Sequence, residues 1–314
     1  MRRRPSRFVT PATIGIVAAV VVAGCTAPGY VKTLAAPAPP RLTVVVPQGN
    51  TGPLPAAQPD NPTVDFDSVQ ALADQATDEA ADAGADITLR LLDRSTGQTV
   101  DHDSDTPVAI ASVAKLFIAD DLLLQESKGQ TVITPEDRAA LDAMLRKSDD
   151  NPAENFWNRS GGNEIIERVA ARYGLESTKP PSNSRWWNTT STAADLVRYY
   201  DMLMSGSGGL PPEQANIILS NLSQSEPVAL DGTQPGGVYP QRFGIPDGLP
   251  GDPVAVKQGW MCVIGSDWMH LSTGVIGADR RYIMVISSEQ STNPDAARET
   301  ITEAVKTMFP AGRI

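Results

Sequence analysis

An α/β fold of the α+β kind is predicted by the order of patterns along the chain. Two strand-like segments come early, a helical stretch fills the middle, and three strand-like segments precede a closing helix. Strands at both ends with helices between them imply one antiparallel sheet built from both chain ends and flanked by helices. A second, mostly helical lobe then covers about residues 112–225. Residues 63–314, about 250, suit one such domain, and no internal repeat is visible.

The chain begins with Arg2, Arg3, Arg4 and Arg7 and no acid, followed by an apolar run from Ile14 to Val22. That run is too short to span the ~30 Å core of a bilayer and reads as a signal peptide over residues 1–24. It ends in Val22-Ala23-Gly24-Cys25, which resembles a bacterial lipobox. The reading is therefore that Cys25 becomes a lipidated N-terminus anchored to the outer face of the cell membrane, each buried methylene of its acyl chains adding ~0.8 kcal/mol. Loss of the four arginines takes the net charge from −11 to −15. A surface so acidic offers no basic patch for phosphates, which excludes nucleic acid as a partner.

From Thr26 to Pro62 the sequence is rich in Pro and Ala and reads as a tether (25–62 with the lipidated Cys), able to hold the domain up to ~100 Å from the membrane at ~3.1 Å per residue. Leu42 to Val46 could be a short strand within it. A helix follows from Asp67 to about Ala83, with Val69, Leu72, Ala73 and Ala76 on one face and Gly84 as its stop. Ile87 to Leu92 and Gln98 to Val100 read as a strand pair joined by a turn at Asp93-Arg94-Ser95-Thr96-Gly97. In the middle, Thr134-Pro135-Glu136-Asp137 opens one helix as cap, proline and first-turn acids; Asn163 to Tyr173 and Thr192 to Met204 are two more. Val254 to Ile264, Trp268 to Ile276 and Arg281 to Ser287 have the β-branched content of antiparallel strands, and Asp295 to Phe309 is an amphipathic closing helix.

Ser112-Val113-Ala114-Lys115 opens an apolar helix just after the strand pair, and Ser112 is the one serine with a lysine three residues on. That spacing puts the amine beside the hydroxyl on one helix face, at a helix N-terminus that favours developing negative charge. A lysine buried there loses its proton more easily and can serve as a general base. Ser148-Asp149-Asp150-Asn151 is a second polar cluster, readable also as a plain helix cap and turn. Lys257-Gln258-Gly259 lies on a late strand, where a lysine can meet a carboxylate and a glycine lets a ligand backbone approach the strand edge.

Together the three motifs, in this order over some 220 to 250 residues, resemble the serine β-lactamases and penicillin-binding D-alanyl-D-alanine carboxypeptidases. The resemblance implies a β-lactamase-like fold with Ser112 as nucleophile, Lys115 as base and Ser148 as proton relay. Lys257, Gln258 and Gly259 would receive the substrate carboxylate and backbone. The backbone amide of Ser112 and one on the Lys257 strand would form the oxyanion hole. Two departures stand out. Where the family has Ser-Asp-Asn, Asp150 takes the Asn place without a gap and Asn151 takes it with one inserted residue. Where the family has Lys-Thr-Gly, Gln258 replaces the Thr.

The Ω-loop Glu that frees the acyl group in class A enzymes has no counterpart, since this stretch offers only Glu176. The resemblance therefore implies slow or weak hydrolysis. Trp186 and Trp187, beside Arg185, read either as a sugar-stacking pair or as packing of their loop; Trp260 and Trp268 either line the cleft or cover it. Cys262 reads as a small buried hydrophobe, and neither it nor His102 and His270 has metal-ligand spacing, so no metal or cofactor is expected. Two classes of function stay open: a serine acyl-enzyme acting on β-lactams or peptidoglycan peptides, or on esters more generally, and a catalytically silent lipoprotein holding a cell-wall peptide or a protein partner.

Overall fold

The computed structural model describes residues 64–231, 237–264 and 267–314. The signal peptide, Cys25, the tether and the short strand expected at Leu42 to Val46 lie outside the described residues.

Helix α1 (Phe66–Asp82) is capped by Asp65 and leads into β1 (Ala85–Asp93) and β2 (Thr99–His102). A two-residue strand β3 (Val108–Ala109) and a 3-10 turn at Ala111–Ala114 then feed α2 (Lys115–Ser127). The helical lobe continues with α3 (Pro135–Arg146), α4 (Asp150–Arg159) and α5 (Asn163–Tyr173). After β4 (Thr190–Ser191), which pairs with β3, come α6 (Ala193–Ser205) and α7 (Pro212–Leu222). A hairpin of β5 (Val228–Asp231) and β6 (Gly237–Pro240) and a short α8 (Ile245–Gly248) return the chain to the sheet. Strands β7 (Val254–Ile264), β8 (Asp267–Ile276) and β9 (Tyr282–Gln290) precede the closing α9 (Pro294–Met308).

The main sheet runs β2-β1-β9-β8-β7, antiparallel throughout. First and last strands of the domain meet at β1 and β9, paired from Ala85 with Gln290 to Asp93 with Tyr282. Both faces of β9 are covered: Ile283 and Val285 join the core under the helical lobe, whereas Met284 and Ile286 join the core under α1 and α9. A strand buried on both sides needs no polar alternation, which is why β9 reads as a nearly continuous apolar run.

Helix α2 is apolar on nearly every side because it is the buried axis of the lobe. Its two acids are buried too. Asp120 accepts from the Arg172 guanidinium and, at 2.5 Å, from the Tyr173 hydroxyl, while Asp121 meets Arg168 at 2.7 Å, so α5 holds α2 by paired charges. Helix α3 carries the expected cap, with Thr134 and Asp137 exchanging side-chain and backbone bonds. The cluster at Ser148 to Asn151 runs into α4, a helix that the sequence pattern does not mark, capped by Asp149, whose carboxylate accepts from the Asn151 amide at 3.0 Å.

Candidate active site

Ser112 lies in the 3-10 turn that runs into α2, where residues three apart eclipse one another. Lys115, the first residue of α2, accordingly donates to Ser112 Oγ at 2.8 Å. The preceding Ala111 is held at φ 44°, a conformation that β-carbon-bearing residues seldom adopt, and so is Ser148 at φ 55°. Two strained residues bracket the same few ångströms, a pattern typical of sites where geometry is over-determined by its surroundings.

Lys115 is fully buried and also donates to the Ser148 carbonyl at 2.7 Å, to Ser148 Oγ at 3.1 Å and to Asp150 Oδ1 at 2.5 Å. Lys257, from β7, reaches the other side of Ser148 Oγ at 2.7 Å. Ser148 thus sits between two amines. Burial pushes Lys115 below the ordinary lysine range, an effect partly offset by the charge and hydrogen bond of Asp150 and by the charge of Asp149. Lys257 is pushed well below it by burial and by the charge of Lys115. Only a deprotonated lysine can take a proton from Ser112, so this environment makes Lys115 capable of acting as a base.

Ser112, Ser148 and Asp150 open onto a cleft of about 260 Å³ walled by Trp186, Trp187, Leu230, Trp260 and Met261. Trp186 lies under the Lys115 amine, 4.7 Å from ring centre to Nζ, and its indole N–H donates to Glu154 at 3.1 Å. The ring is therefore buried packing and cleft wall at once; Trp187 meets it edge to face and is half-buried. Trp260 also lines the cleft, stacked 3.9 Å from Tyr239 of the hairpin, whereas Trp268 stacks behind it, outside the lining. Cys262, expected as a buried small hydrophobe, is partly exposed and lines the cleft, because the end of β7 runs beyond the core.

Three predicted residues sit differently from the rest. Gln258 is buried on the strand face opposite Lys257; its amide donates to the Phe243 carbonyl at 2.7 Å and it does not line the cleft. The alternation of side chains along β7 explains this. Asn151 is exposed on the first turn of α4, so Asp150 alone of the two faces the cleft. Gly259 has a role beyond admitting a ligand: a β-carbon there would lie 2.7 Å from the Ile110 carbonyl and 3.5 Å from the Ala111 β-carbon. The turn bearing Ser112 packs directly on the face of the edge strand β7 that also carries Lys257, and glycine makes that approach possible. Glu176 is exposed, with its carbonyl accepting from Lys179 at 2.7 Å, and lies outside the cleft lining.

Sequence reasoning missed the carboxylates of α2 that orient the lobe, and the hairpin residues Ala229 and Leu230 at the cleft mouth. No periodicity marks a hairpin of four-residue strands. Among the described residues no group of three or more His, Cys, Asp or Glu is placed to hold a metal ion.

No protein-family profile matches the chain. Proteins named lipoprotein LppW from Mycobacterium tuberculosis and Mycobacterium bovis are 53% identical to it over the whole of both chains. Among solved structures, a β-lactamase from Chitinophaga pinensis matches 77% of this chain and all of its own at a TM-score of 0.61 and 14% identity. A PBP-A acyl-enzyme complex with penicillin G matches 77% of this chain and 96% of its own, with a TM-score of 0.61 and 16% identity. The chain therefore has the β-lactamase fold and belongs to the family of the LppW lipoproteins.

Proposed function

We propose that this is a cell-envelope lipoprotein, anchored through Cys25 to the outer face of the cell membrane, whose domain forms an acyl-enzyme at Ser112 with β-lactams or D-Ala-D-Ala peptides and releases it slowly. The name of its mycobacterial relatives supports the lipid anchor. Among the described residues no helix is long and apolar enough to cross a membrane.

The observation that carries the acyl-enzyme reading is the 2.8 Å contact of Ser112 Oγ with a buried lysine amine at the floor of an open cleft. In this reading Lys115 takes the hydroxyl proton as Oγ attacks the carbonyl carbon. The carbonyl oxygen draws on the Ser112 amide and an amide at the edge of β7. The carbon–nitrogen bond then breaks, and the leaving nitrogen receives a proton through Ser148, which touches both lysines. Lys257 is 1% exposed, so its pull on a substrate carboxylate acts through Ser148 rather than by direct contact. The acyl group remains as an ester on Ser112. Asp150 is the sole carboxylate among the described residues of the cleft lining, and it is bound to Lys115, which leaves water without a dedicated base.

That same ion pair favours a second reading, a silent binding domain, because a carboxylate 2.5 Å from Nζ holds the proton that Lys115 must shed. Incubation with a fluorescent penicillin followed by intact-mass and peptide analysis separates the two. The enzyme reading expects one covalent adduct, on Ser112, lasting minutes or more, and a rate of labelling at least ~10²-fold lower in Lys115→Ala. Equal labelling of Ser112→Ala would remove the mechanism, and no labelling of the wild type would leave the binding domain.

A further inference from the structure

Asp150 is the one charged residue among the described residues of the cleft lining, and its two oxygens have different surroundings. Oδ1 accepts from Lys115, whereas Oδ2 meets no donor among the described residues, and the side chain is 45% exposed. A carboxylate oxygen can only accept hydrogen bonds. A ligand carbonyl brought against it would set acceptor against acceptor, whereas an N–H group would bond to it, most strongly if it carried positive charge. The walls agree with this: Trp186, Trp187 and Trp260 line the same cleft, and the faces of indole rings attract cations. No lysine or arginine is among the described lining residues, and burial drives both Lys115 and Lys257 toward their neutral forms.

We infer that Asp150 makes the cleft selective for ligands that present a free, protonated amine beside the carbonyl meant for Ser112, in preference to ligands whose amine is acylated. The inference rests on the acyl-enzyme reading and narrows its substrate class: of β-lactams and D-Ala-D-Ala compounds, those whose amine beside the reacting carbonyl is unblocked are preferred to the acylated ones. The preference itself is one of binding and can be read even where no acyl transfer follows.

The test uses the full-length protein carrying Ser112→Ala, so that no covalent step intervenes. Glycine 4-nitroanilide and N-acetylglycine 4-nitroanilide are titrated while tryptophan fluorescence is followed. A charge-assisted bond is worth roughly 10- to 150-fold in affinity, so the free amine should bind at least ~10-fold more tightly. Adding Asp150→Asn should bring the two within ~3-fold or reverse their order, and Asp150→Glu, which keeps the carboxylate, should retain the preference. Equal binding of the two probes, tighter binding of the acetylated one, absence of saturable binding, or a preference that survives Asp150→Asn would each overturn the inference. Failure of the acyl-enzyme reading has a different signature: 6-aminopenicillanic acid, a β-lactam whose amine beside the reacting carbonyl is free, leaves no adduct on Ser112 of the wild type while the amine preference persists.

Discussion

Lys115 is under opposing demands that determine how the site can work. Burial disfavours its charged form, Asp150 and Asp149 favour it, and Lys257, sharing Ser148, is held back from charging by its own burial and then by the Lys115 charge. As a base Lys115 acts only when neutral, so acylation rises with pH as its proton leaves, and because its pKa lies below the ordinary lysine value that rise comes earlier than for an exposed lysine. Asp150→Asn removes the nearest anion and lowers the pKa further. The expected outcome is a rising limb of the acylation rate displaced to lower pH, measured by stopped-flow labelling across the pH range. A limb that stays in place, or moves upward, would mean that Lys115 is not the base. At this scale the sequence was informative but incomplete. Ser112 and Lys115 were legible from their spacing, Ser148 and Lys257 from the resemblance of their motifs to the β-lactamase-like family, and the structure brings all four together. The choice between Asp150 and Asn151 was not legible, because it depends on which residue the Asp149 cap makes the first of α4.

At the scale of elements, the site rests on the turn Ala111–Ala114 lying on one face of β7, the edge strand of the sheet. Gly259 is the point of closest approach, and a β-carbon 2.7 Å from the Ile110 carbonyl can be relieved only by moving the turn or the strand, both backbone. Gly259→Ala should therefore destabilise the domain by ~1 to 3 kcal/mol and lower the labelling rate of Ser112 more than it lowers overall stability would suggest, since the turn carries the nucleophile. Thermal melts and labelling rates of the same preparation check this; unchanged labelling would mean that the turn tolerates the shift. Gln258, one residue away, shows why strand patterns alone mislead about function. Its neighbours in sequence serve the cleft, yet the period of two along β7 sends its amide to the Phe243 carbonyl.

At the scale of the whole molecule, strands from both ends of the chain close the sheet, and the closing packs β8 beneath the hairpin and α9. His270, on β8, is buried there, sharing a 2.7 Å hydrogen bond with the Tyr239 hydroxyl, and burial together with the charge of Arg298 lowers its pKa to about 3. An imidazole kept neutral in the fold but protonated in the unfolded chain contributes stability that is present above its ordinary pKa of 6.5 and lost as pH falls toward 3. The melting temperature of the wild type should therefore fall more steeply than that of His270→Gln between pH 7 and pH 4, narrowing or reversing the gap between them. A gap constant over that range would contradict the assignment.

Fold class, the strands of the main sheet, the closing helix and the pair Ser112 and Lys115 could be read from the sequence because each leaves a local mark: the periods of helix and strand, or a spacing of three residues; Ser148 and Lys257 could be named only through the resemblance of their motifs to a known family. Where side chains point once a strand is paired, and what lies across from them, is not local. That Ser148 sits between two lysines 109 residues or fewer away along the chain, that Gly259 yields to Ile110, and that Asp150 is the carboxylate facing the cleft were decided by the tertiary structure. Each is a contact between segments distant in sequence, whose energy depends on burial and distance and on nothing that a single segment displays.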